Sequence, residues 1–231
     1  MPARDAGDRS GEDGSKAMKK YYPAFVDIEG QPCLVVGGGA IAAEKAGSLL
    51  ECGGVVTVIS PDLTEELCDR AEQGELRWFA KRYEPGDVRN FRLVISATDS
   101  AEVNEQVYVD AETEGIMVNV VDVPALCRYI VPSIVRQGDL CIAISTGGKS
   151  PALAKKIRGQ LDEAFGAEYA VLLDLLGEFR PRMKDRHPDE IETRARLWTS
   201  LVDSDLLDLI RAGRAEEARD RVESCILHSS D

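Results

Sequence analysis

The chain has 231 residues, of which 44% are hydrophobic, and a formal net charge of −13 from 41 acidic and 28 basic side chains. This length allows one large domain and a smaller one, while the charge argues against general binding to nucleic acid or to anionic membranes. No apolar run reaches the roughly 18–20 residues that a membrane span needs, and the first residues lack the apolar core of a signal peptide.

The six cysteines and two histidines do not have the spacing of a metal site. No C-x-x-C pair occurs, and several cysteines fall on apolar faces, so we expect reduced thiols in a cytoplasmic protein. His187 and His228 both lie in the polar C-terminal third. A histidine-based catalytic or metal centre is therefore excluded from residues 18–120, which are described next.

The first structured segment follows a polar stretch. Residues 1–17 contain nothing to bury and are predicted to be a disordered tail. Residues 21–28 are expected to pack as a lead-in beside the first strand. The apolar run 33–36 is typical of a buried parallel strand, and three glycines and a helix-like run follow it at once.

The three glycines predict a dinucleotide-binding turn. Gly37 suits a strained turn, Gly39 has no Cβ to keep a phosphate away, and Ala42 takes the third position of the G-x-G-x-x-G pattern. A helix starting near Ala40 would direct free N–H groups at an anion. A glycine-rich turn after any strand would look similar, so this motif alone leaves an ordinary turn open.

The second strand, 55–59, completes a βαβ unit and ends at Ser60-Pro61-Asp62. An acidic residue that binds the ribose hydroxyls is expected near this point. Asp62 comes a little late for it, and Ser60 occupies the likelier position at the strand tip. No arginine stands at the tip to receive a 2′-phosphate, which favours NAD over NADP.

The remaining pattern to residue 120 alternates between helix and strand: a helix over 62–73, strands over 76–80 and 92–96, a helix over 100–114 and a strand over 116–120. This alternation predicts a Rossmann-like, doubly wound parallel sheet. Ligands bind beyond the carboxyl ends of such strands. The residues expected to contact NAD there are Gly37, Gly38, Gly39, Ala40, Ile41, Ser60, Pro61, Asp62, Thr98, Asn119 and Val120.

Beyond the sheet we expect an antiparallel hairpin and then only helices. The strands are predicted over 129–136 and 139–145 with the turn at Gln137-Gly138, forming either a dimer surface or an extension of the first domain. The helices are predicted over 151–165, 168–182, 189–202, 205–212 and 214–227. The predicted domains are thus 18–120 for NAD binding, 121–150 for dimerisation and the active site, and 151–231 as a helical domain.

Two sites in this part of the chain could carry chemistry. Asp122 follows the fifth strand, where a carboxylate could exchange protons near a bound nicotinamide, although a turn former before Pro124 would look the same. Asp99 is a weaker candidate, because Thr98-Asp99-Ser100 also suits a helix cap. The segment 145–150, with two glycines and Lys149, is either a second anion site or a simple capped helix start.

Five segments, taken in order, resemble a known family: 35–45, 97–99, 119–122, 127–133 and 145–151. They resemble the motifs of the precorrin-2 dehydrogenase / sirohydrochlorin ferrochelatase family, the N-terminal module of sirohaem synthases, here expected in its stand-alone form. The resemblance runs from about Tyr21 to about Lys184. It implies NAD-dependent oxidation of precorrin-2 to sirohydrochlorin, insertion of ferrous iron in some members, and a homodimer formed through the segment after the nucleotide-binding domain.

The resemblance also implies roles for individual residues. The cofactor loop maps onto 37–41 and 61–62, and the catalytic aspartate maps onto Asp122. A tetrapyrrole with eight carboxylates would need local cations, and its own nitrogens would bind the iron, so no metal ligands are expected from the chain. The residues expected to contact this substrate are Arg128, Ser145, Thr146, Gly147, Gly148, Lys149 and Ser150.

Two other functions remain compatible with the same fold. A regulatory or sensor module that binds NAD without catalysis would keep the glycine turn but would not need Asp122 or the Gly147-Gly148 segment. An unrelated NAD-dependent dehydrogenase would normally show a catalytic histidine, lysine or tyrosine, and none is evident.

Overall fold

The computed structural model describes residues 20–227 of the chain. The predicted disordered tail, residues 1–17, lies outside the described residues. The backbone forms two units that divide between Val131 and Pro132. Each unit is described below by itself.

The first unit is a parallel sheet with helices on both faces. Its five strands lie side by side in the order β3-β2-β1-β4-β5, and every pairing is parallel. The predicted Rossmann-like sheet is therefore confirmed. The strands are β1 Pro32–Val36, β2 Val55–Ile59, β3 Arg77–Phe79, β4 Leu93–Ser96 and β5 Met117–Val120, and the helices are α1 Ala40–Glu51, α2 Glu65–Glu72 and α3 Ala101–Glu114.

Alternate residues of the central strands pack into two separate hydrophobic cores, one on each face of the sheet. Cys33 and Val35 of β1 point to the face covered by α1 and α2, whereas Leu34 and Val36 point to the face covered by α3. All four are buried, as expected for a parallel sheet covered on both sides. This packing fixes the register of β1, since a shift by one residue would exchange its two faces.

Two predicted segments of this unit differ from the structure. Helix α2 begins at Glu65 rather than Asp62, because the backbone N–H of Thr64 donates to the carbonyl oxygen of Gly38 at 2.8 Å and holds the preceding residues against the glycine turn. In the lead-in 21–28, Ile28 is buried and Tyr21 is half-buried, whereas Tyr22 and Phe25 are 90% and 76% exposed.

The second unit joins a two-stranded antiparallel hairpin to five helices. The hairpin consists of β6 Ser133–Gln137 and β7 Leu140–Ile144, and it forms a sheet of its own. The helices are α4 Pro151–Ala164, α5 Glu168–Arg186, α6 Ile191–Val202, α7 Leu206–Arg211 and α8 Ala215–Leu227. The predicted helical core is confirmed, with Leu201, Leu206, Val222 and Ile226 buried together.

Three predicted boundaries in the second unit are wrong. Strand β6 starts at Ser133 because Pro132 has no N–H to donate to a ladder. The hairpin turn is Gly138-Asp139, since Gln137 pairs with Leu140 and Gly138 takes a φ of 56°. Helix α5 continues through Pro181 to Arg186, because Phe179 and Met183 are buried in the helical core on either side of the proline.

Candidate functional site

The glycine turn after β1 is packed against the backbone of two neighbouring strand ends. Gly37 has a φ of 122°, and a Cβ on it would lie 2.2 Å from the carbonyl oxygen of Ala97. A Cβ on Gly38 would lie 1.9 Å from the carbonyl oxygen of Asp62. Neither position can accept a side chain unless the backbone moves, so both glycines are required by the turn itself.

Gly39 differs from the other two glycines. It is the N-cap of α1, and a Cβ on it would meet no atom within 4 Å. No side chain caps this helix, whose first turn starts with the hydrogen bond from Ala43 N–H to Gly39 C=O at 3.0 Å. The N–H groups of Ala40 and Ile41 have no partner in the helix. The turn thus presents open space and backbone donors, which together suit an anion.

A cleft of about 450 Å³ opens beside this turn. It is lined by the strand ends that carry Gly37, Ser60-Pro61 and Thr98, and by a loop that follows β3. The structure therefore brings four of the predicted NAD contacts to one cavity. Asp62 is exposed and does not line the cleft, whereas Ser60 at the tip of β2 is buried and does.

The loop after β3 was not identified from the sequence as part of the site. It contributes Arg82, Tyr83 and Pro85 to the lining of the cleft. Its sequence has no apolar periodicity, but Lys81-Arg82 directly follows the end of a strand. The rule that ligands bind beyond strand ends would have indicated these residues, had it been applied to β3.

Helix α3 holds this loop in place through Asp110. The Tyr83 hydroxyl donates to Asp110 Oδ2 at 2.6 Å, and the Gly86 N–H donates to the same oxygen at 3.0 Å. Burial and the bond to Asp110 raise the pKa of Tyr83. Desolvation opposes ionisation of Asp110, but the bonds from Tyr83, Gly86 and Gln106 outweigh it and lower the pKa of this carboxyl group. The charged form of Asp110 is thus the one that anchors the loop.

Thr98 is fixed by a polar pair buried behind the end of β4. Ser96 Oγ donates to Asn104 Oδ1 at 2.7 Å, and Asn104 Nδ2 donates to the carbonyl oxygen of Thr98 at 3.0 Å. Ser100 caps α3 by accepting from the Val103 N–H at 3.3 Å, as predicted. These bonds hold the end of β4 and the start of α3 together within the chain itself.

Asn119 and Val120 occupy the end of β5, and both side chains are engaged in the fold. Asn119 Nδ2 donates to the carbonyl oxygen of Tyr129 at 3.0 Å, and Val120 is buried in the core beside α3. The structure does not bring either residue into the 450 Å³ cleft. Their expected contact with NAD stays a prediction.

Asp122 stands in a turn just after β5 with an unusual backbone. Its φ is 60°, a left-handed conformation that side chains rarely adopt, and the residue is exposed. A short 3₁₀ turn, Pro124–Leu126, follows it. Asp122 lies at the same edge of the sheet as the glycine turn but is not part of the cleft lining. An exposed carboxylate held in a strained turn is a candidate for chemistry rather than for packing.

Arg128, predicted to contact substrate, already has an acidic partner. Its guanidinium group forms a two-bond ion pair with the carboxylate of Glu112 on α3. A substrate carboxylate would have to replace Glu112 in order to use this arginine.

In the second unit, the segment 145–150 closes on itself. Thr146 Oγ1 donates to the carbonyl oxygen of Ser150 at 3.1 Å and accepts from the Ser150 N–H at 3.2 Å. Ser150 Oγ accepts from the Leu153 N–H and so caps α4, with Pro151 in the first helical position, as predicted. Gly147 and Gly148 have φ values of 61° and 81°, and Lys149 is exposed.

The described residues, 20–227, contain no group of three or more histidine, cysteine, aspartate or glutamate side chains placed to hold a metal ion. Nor do they include a helix long and apolar enough to cross a membrane. All six cysteines lie in this range, and they are thiols rather than disulfides.

Three family models match consecutive parts of the chain. A model described as NAD(P)-binding matches residues 24–133. The model for the sirohaem biosynthesis protein central region matches residues 137–164, and that for the sirohaem synthase dimerisation region matches residues 168–226. The first match contains the whole glycine turn and the cleft.

Curated relatives and a solved structure agree with these models. Siroheme synthase of Chromobacterium violaceum is 40% identical over 207 residues, and that of Methylococcus capsulatus is 36% identical over 211 residues. These alignments cover 90% and 91% of this chain but 44% of each relative, so the chain spans less than half their length. The structure of SirC, precorrin-2 dehydrogenase, superimposes with a TM-score of 0.71 at 27% identity, covering 88% of this chain and all of SirC.

Proposed function

We propose an activity for this chain from one premise: it belongs to the precorrin-2 dehydrogenase / sirohydrochlorin ferrochelatase family, which includes the matching part of the sirohaem synthases. The activity is the NAD-dependent oxidation of precorrin-2 to sirohydrochlorin. The observation that carries the proposal is the superposition on SirC, precorrin-2 dehydrogenase, which extends over the whole of that chain.

The residues of the glycine turn fit a dinucleotide. The uncapped N-terminus of α1 and the open space at Gly39 would accept the pyrophosphate, and the cleft beside Ser60 and Thr98 would accept one nucleoside. When bound there, NAD supplies the acceptor for the hydride that leaves the substrate.

Asp122 is proposed as the general base for the proton lost in the oxidation. The residue is exposed and follows β5 at the edge of the sheet where ligands bind. Its φ of 60° gives the side chain a different direction from that of an ordinary strand residue. In members that insert ferrous iron, a carboxylate at this position would accept the pyrrole N–H protons. Iron insertion by this chain is a further part of the proposal.

The substrate carboxylates are proposed to be bound by exposed cations. Lys149 is exposed in a segment whose other polar groups are bonded to one another, and Lys155 follows on α4. In the first unit, Arg128 is proposed as a separate contact, and it would exchange Glu112 for a substrate carboxylate. We further propose a homodimer, supported by the match to a dimerisation region, and a cytoplasmic location, supported by the six thiols.

The decisive experiment is to mix the purified protein with precorrin-2 and NAD and to follow NADH absorbance at 340 nm. We expect absorbance to rise in proportion to the substrate consumed. Bound NAD without turnover of intact substrate would refute the dehydrogenase and support a sensor module. A second run with ferrous iron would report sirohaem by its visible spectrum.

Asp122→Asn tests the proposed base. Asparagine removes the charge but tolerates a positive φ, so the turn should keep its shape. We expect turnover to fall by about 10²-fold or more, since general bases contribute rate factors of that size, while the affinity for NAD stays near that of the wild type. Asp69→Asn on α2 is the matched control and should turn over normally. Equal turnover in both variants would remove Asp122 from its role.

A further inference from the structure

The cleft beside the glycine turn carries more information about the cofactor than the strand tip alone. Its volume of about 450 Å³ is in the range of small-molecule sites. Its lining combines the ends of β1, β2 and β4 with the loop after β3 and the first two turns of α3. A nucleoside is the part of a dinucleotide that would fill this space, given the position of the pyrophosphate at Gly39.

Two charged side chains line this cleft, Arg82 from the loop and Glu102 from α3. Both are exposed, and neither has an ion-pair partner within the described part of the chain. At the tip of β2, where NAD-specific sites place an acid on the ribose hydroxyls, the residue is Ser60. The ribose end of the site therefore lacks the acid that would repel a 2′-phosphate and gains a cation from another loop.

The residues on both sides of Arg82 are held by side-chain contacts. Lys81 Nζ contacts Asp87 Oδ1 at 2.8 Å and Glu84 Oε2 at 3.0 Å, and Tyr83 is bonded to Asp110 on α3. The loop also lies near the β2 tip, because Trp78 Nε1 donates to the carbonyl oxygen of Ser60 at 2.9 Å from the strand before it. Arg82 is thus an exposed cation that lines the cleft from a loop whose neighbouring residues are bonded to the rest of the first unit.

We propose that Arg82 recognises a phosphate on the adenosine ribose, with Glu102 opposing it, so that the protein accepts NADP as well as NAD. This inference deepens the proposed function and rests on dinucleotide binding at the glycine turn. It also corrects the reason given above for favouring NAD: the strand tip has no arginine, but the loop after β3 brings one to the same cleft.

The test compares the dissociation constants of NAD and NADP by titration calorimetry on the full chain. Wild-type protein should bind both, with dissociation constants within about tenfold of each other. Arg82→Ala should raise the dissociation constant of NADP about tenfold relative to that of NAD, the loss of affinity expected for one charge-assisted phosphate contact. Glu102→Gln should shift the ratio several-fold toward NADP. Arg77→Ala, which removes the same charge from β3 outside the cleft, is the matched control and should leave the ratio unchanged.

The outcomes separate this inference from the proposed function. If NAD binds but NADP does not, or if Arg82→Ala and Arg77→Ala give the same ratio, the role of Arg82 is refuted while the NAD-dependent activity stands. If neither dinucleotide binds, the assignment of the glycine turn itself fails. If Arg82→Ala lowers the affinity for NADP more at 50 mM salt than at 300 mM salt, the contact is an ion pair, because salt screens it.

Discussion

Two glycine-rich turns in this chain lead into helices, and they use the helix N-terminus in opposite ways. The turn at 37–39 leaves α1 without a side-chain cap, whereas the segment 145–150 caps α4 with Ser150 and satisfies its own amides through Ser145 and Thr146. The first turn keeps its backbone donors for a ligand. The second uses several of its donors within the chain, and Lys149 is its exposed cation.

The glycines of the two turns are also required for different reasons. At Gly37 and Gly38 a side chain would collide with backbone carbonyl oxygens, whereas a Cβ on Gly148 would meet nothing within 4 Å. Gly148 is needed only for its φ of 81°. Similar glycine runs can therefore reflect either close packing of the main chain or backbone conformation alone.

The largest expected effect separates these two reasons. Gly38→Ala should lower the free energy of unfolding of the first unit by about 3 kcal/mol or more, since the added methyl group forces the backbone apart. Gly148→Ala should cost the second unit only about 1 kcal/mol, the penalty for a strained φ. The two tryptophans allow each unit to be followed separately in urea, because Trp78 lies in β3 and Trp198 in α6. Equal losses in the two variants would contradict the distinction.

The next effect concerns ligand binding at the uncapped helix. Gly39→Asp fits the open space without a clash but places a carboxylate where the pyrophosphate should lie. We expect NAD to bind about 10- to 100-fold more weakly, corresponding to about 1.4–2.8 kcal/mol, with little change in stability. Gly148→Asp is the matched control, because it adds the same charge at the other glycine turn. Unchanged affinity in Gly39→Asp would contradict the assignment of the turn.

A smaller effect tests the capped helix. Ser150→Ala removes the acceptor for the Leu153 N–H and should lower the free energy of unfolding of the second unit by about 1 kcal/mol. Ser48→Ala, an exposed serine within α1, should change stability by less than about 0.5 kcal/mol. If Ser150→Ala behaved like this control, the capping bond would contribute nothing measurable.

The smallest effect is a change of stability with pH of less than about 1 kcal/mol, and it concerns the loop that carries Arg82. Asp110 has a lowered pKa in the folded state, so its bonds stabilise the protein above the ordinary carboxyl pKa of about 4 and are lost as pH falls through the lower folded value. The stability difference between wild type and Asp110→Asn, about 1 kcal/mol at pH 7, should narrow below pH 4. Urea midpoints at pH 7 and pH 3.5 measure it; a constant difference would mean that the charge of Asp110 is irrelevant.

The sequence was sufficient for the sheet and for the glycine turn because both follow local rules. Buried parallel strands are continuous apolar runs, and the helices α2 and α3 show their inward faces at helical spacing. The predicted helix boundaries were wrong where a contact with a residue distant in the sequence determines them. The start of α2 depends on the bond between Thr64 and Gly38, and the passage of α5 through Pro181 depends on burial of Phe179 and Met183.

The candidate site was predictable only in part, for the same physical reason. Ser60 and Thr98 follow strand ends, so their place at the cleft follows from the topology. Arg82 enters the cleft because Asp110, 28 positions further along the chain, anchors its loop. The ion pair of Arg128 with Glu112 likewise joins residues that no local pattern relates.

The left-handed backbone of Asp122 bears on how freely this position can vary without affecting folding. Replacing Asp122 by glycine would stabilise the folded state by about 1 kcal/mol, because glycine adopts this φ without strain. It would lower the free energy of unfolding by about the same amount, because glycine makes the unfolded chain more flexible. The two effects nearly cancel, so the stability of the fold should be almost the same with an aspartate or a glycine at this position. The fold therefore does not require an aspartate here, and if Asp122 is the proposed general base, Asp122→Gly should yield a protein that is as stable as the wild type and inactive.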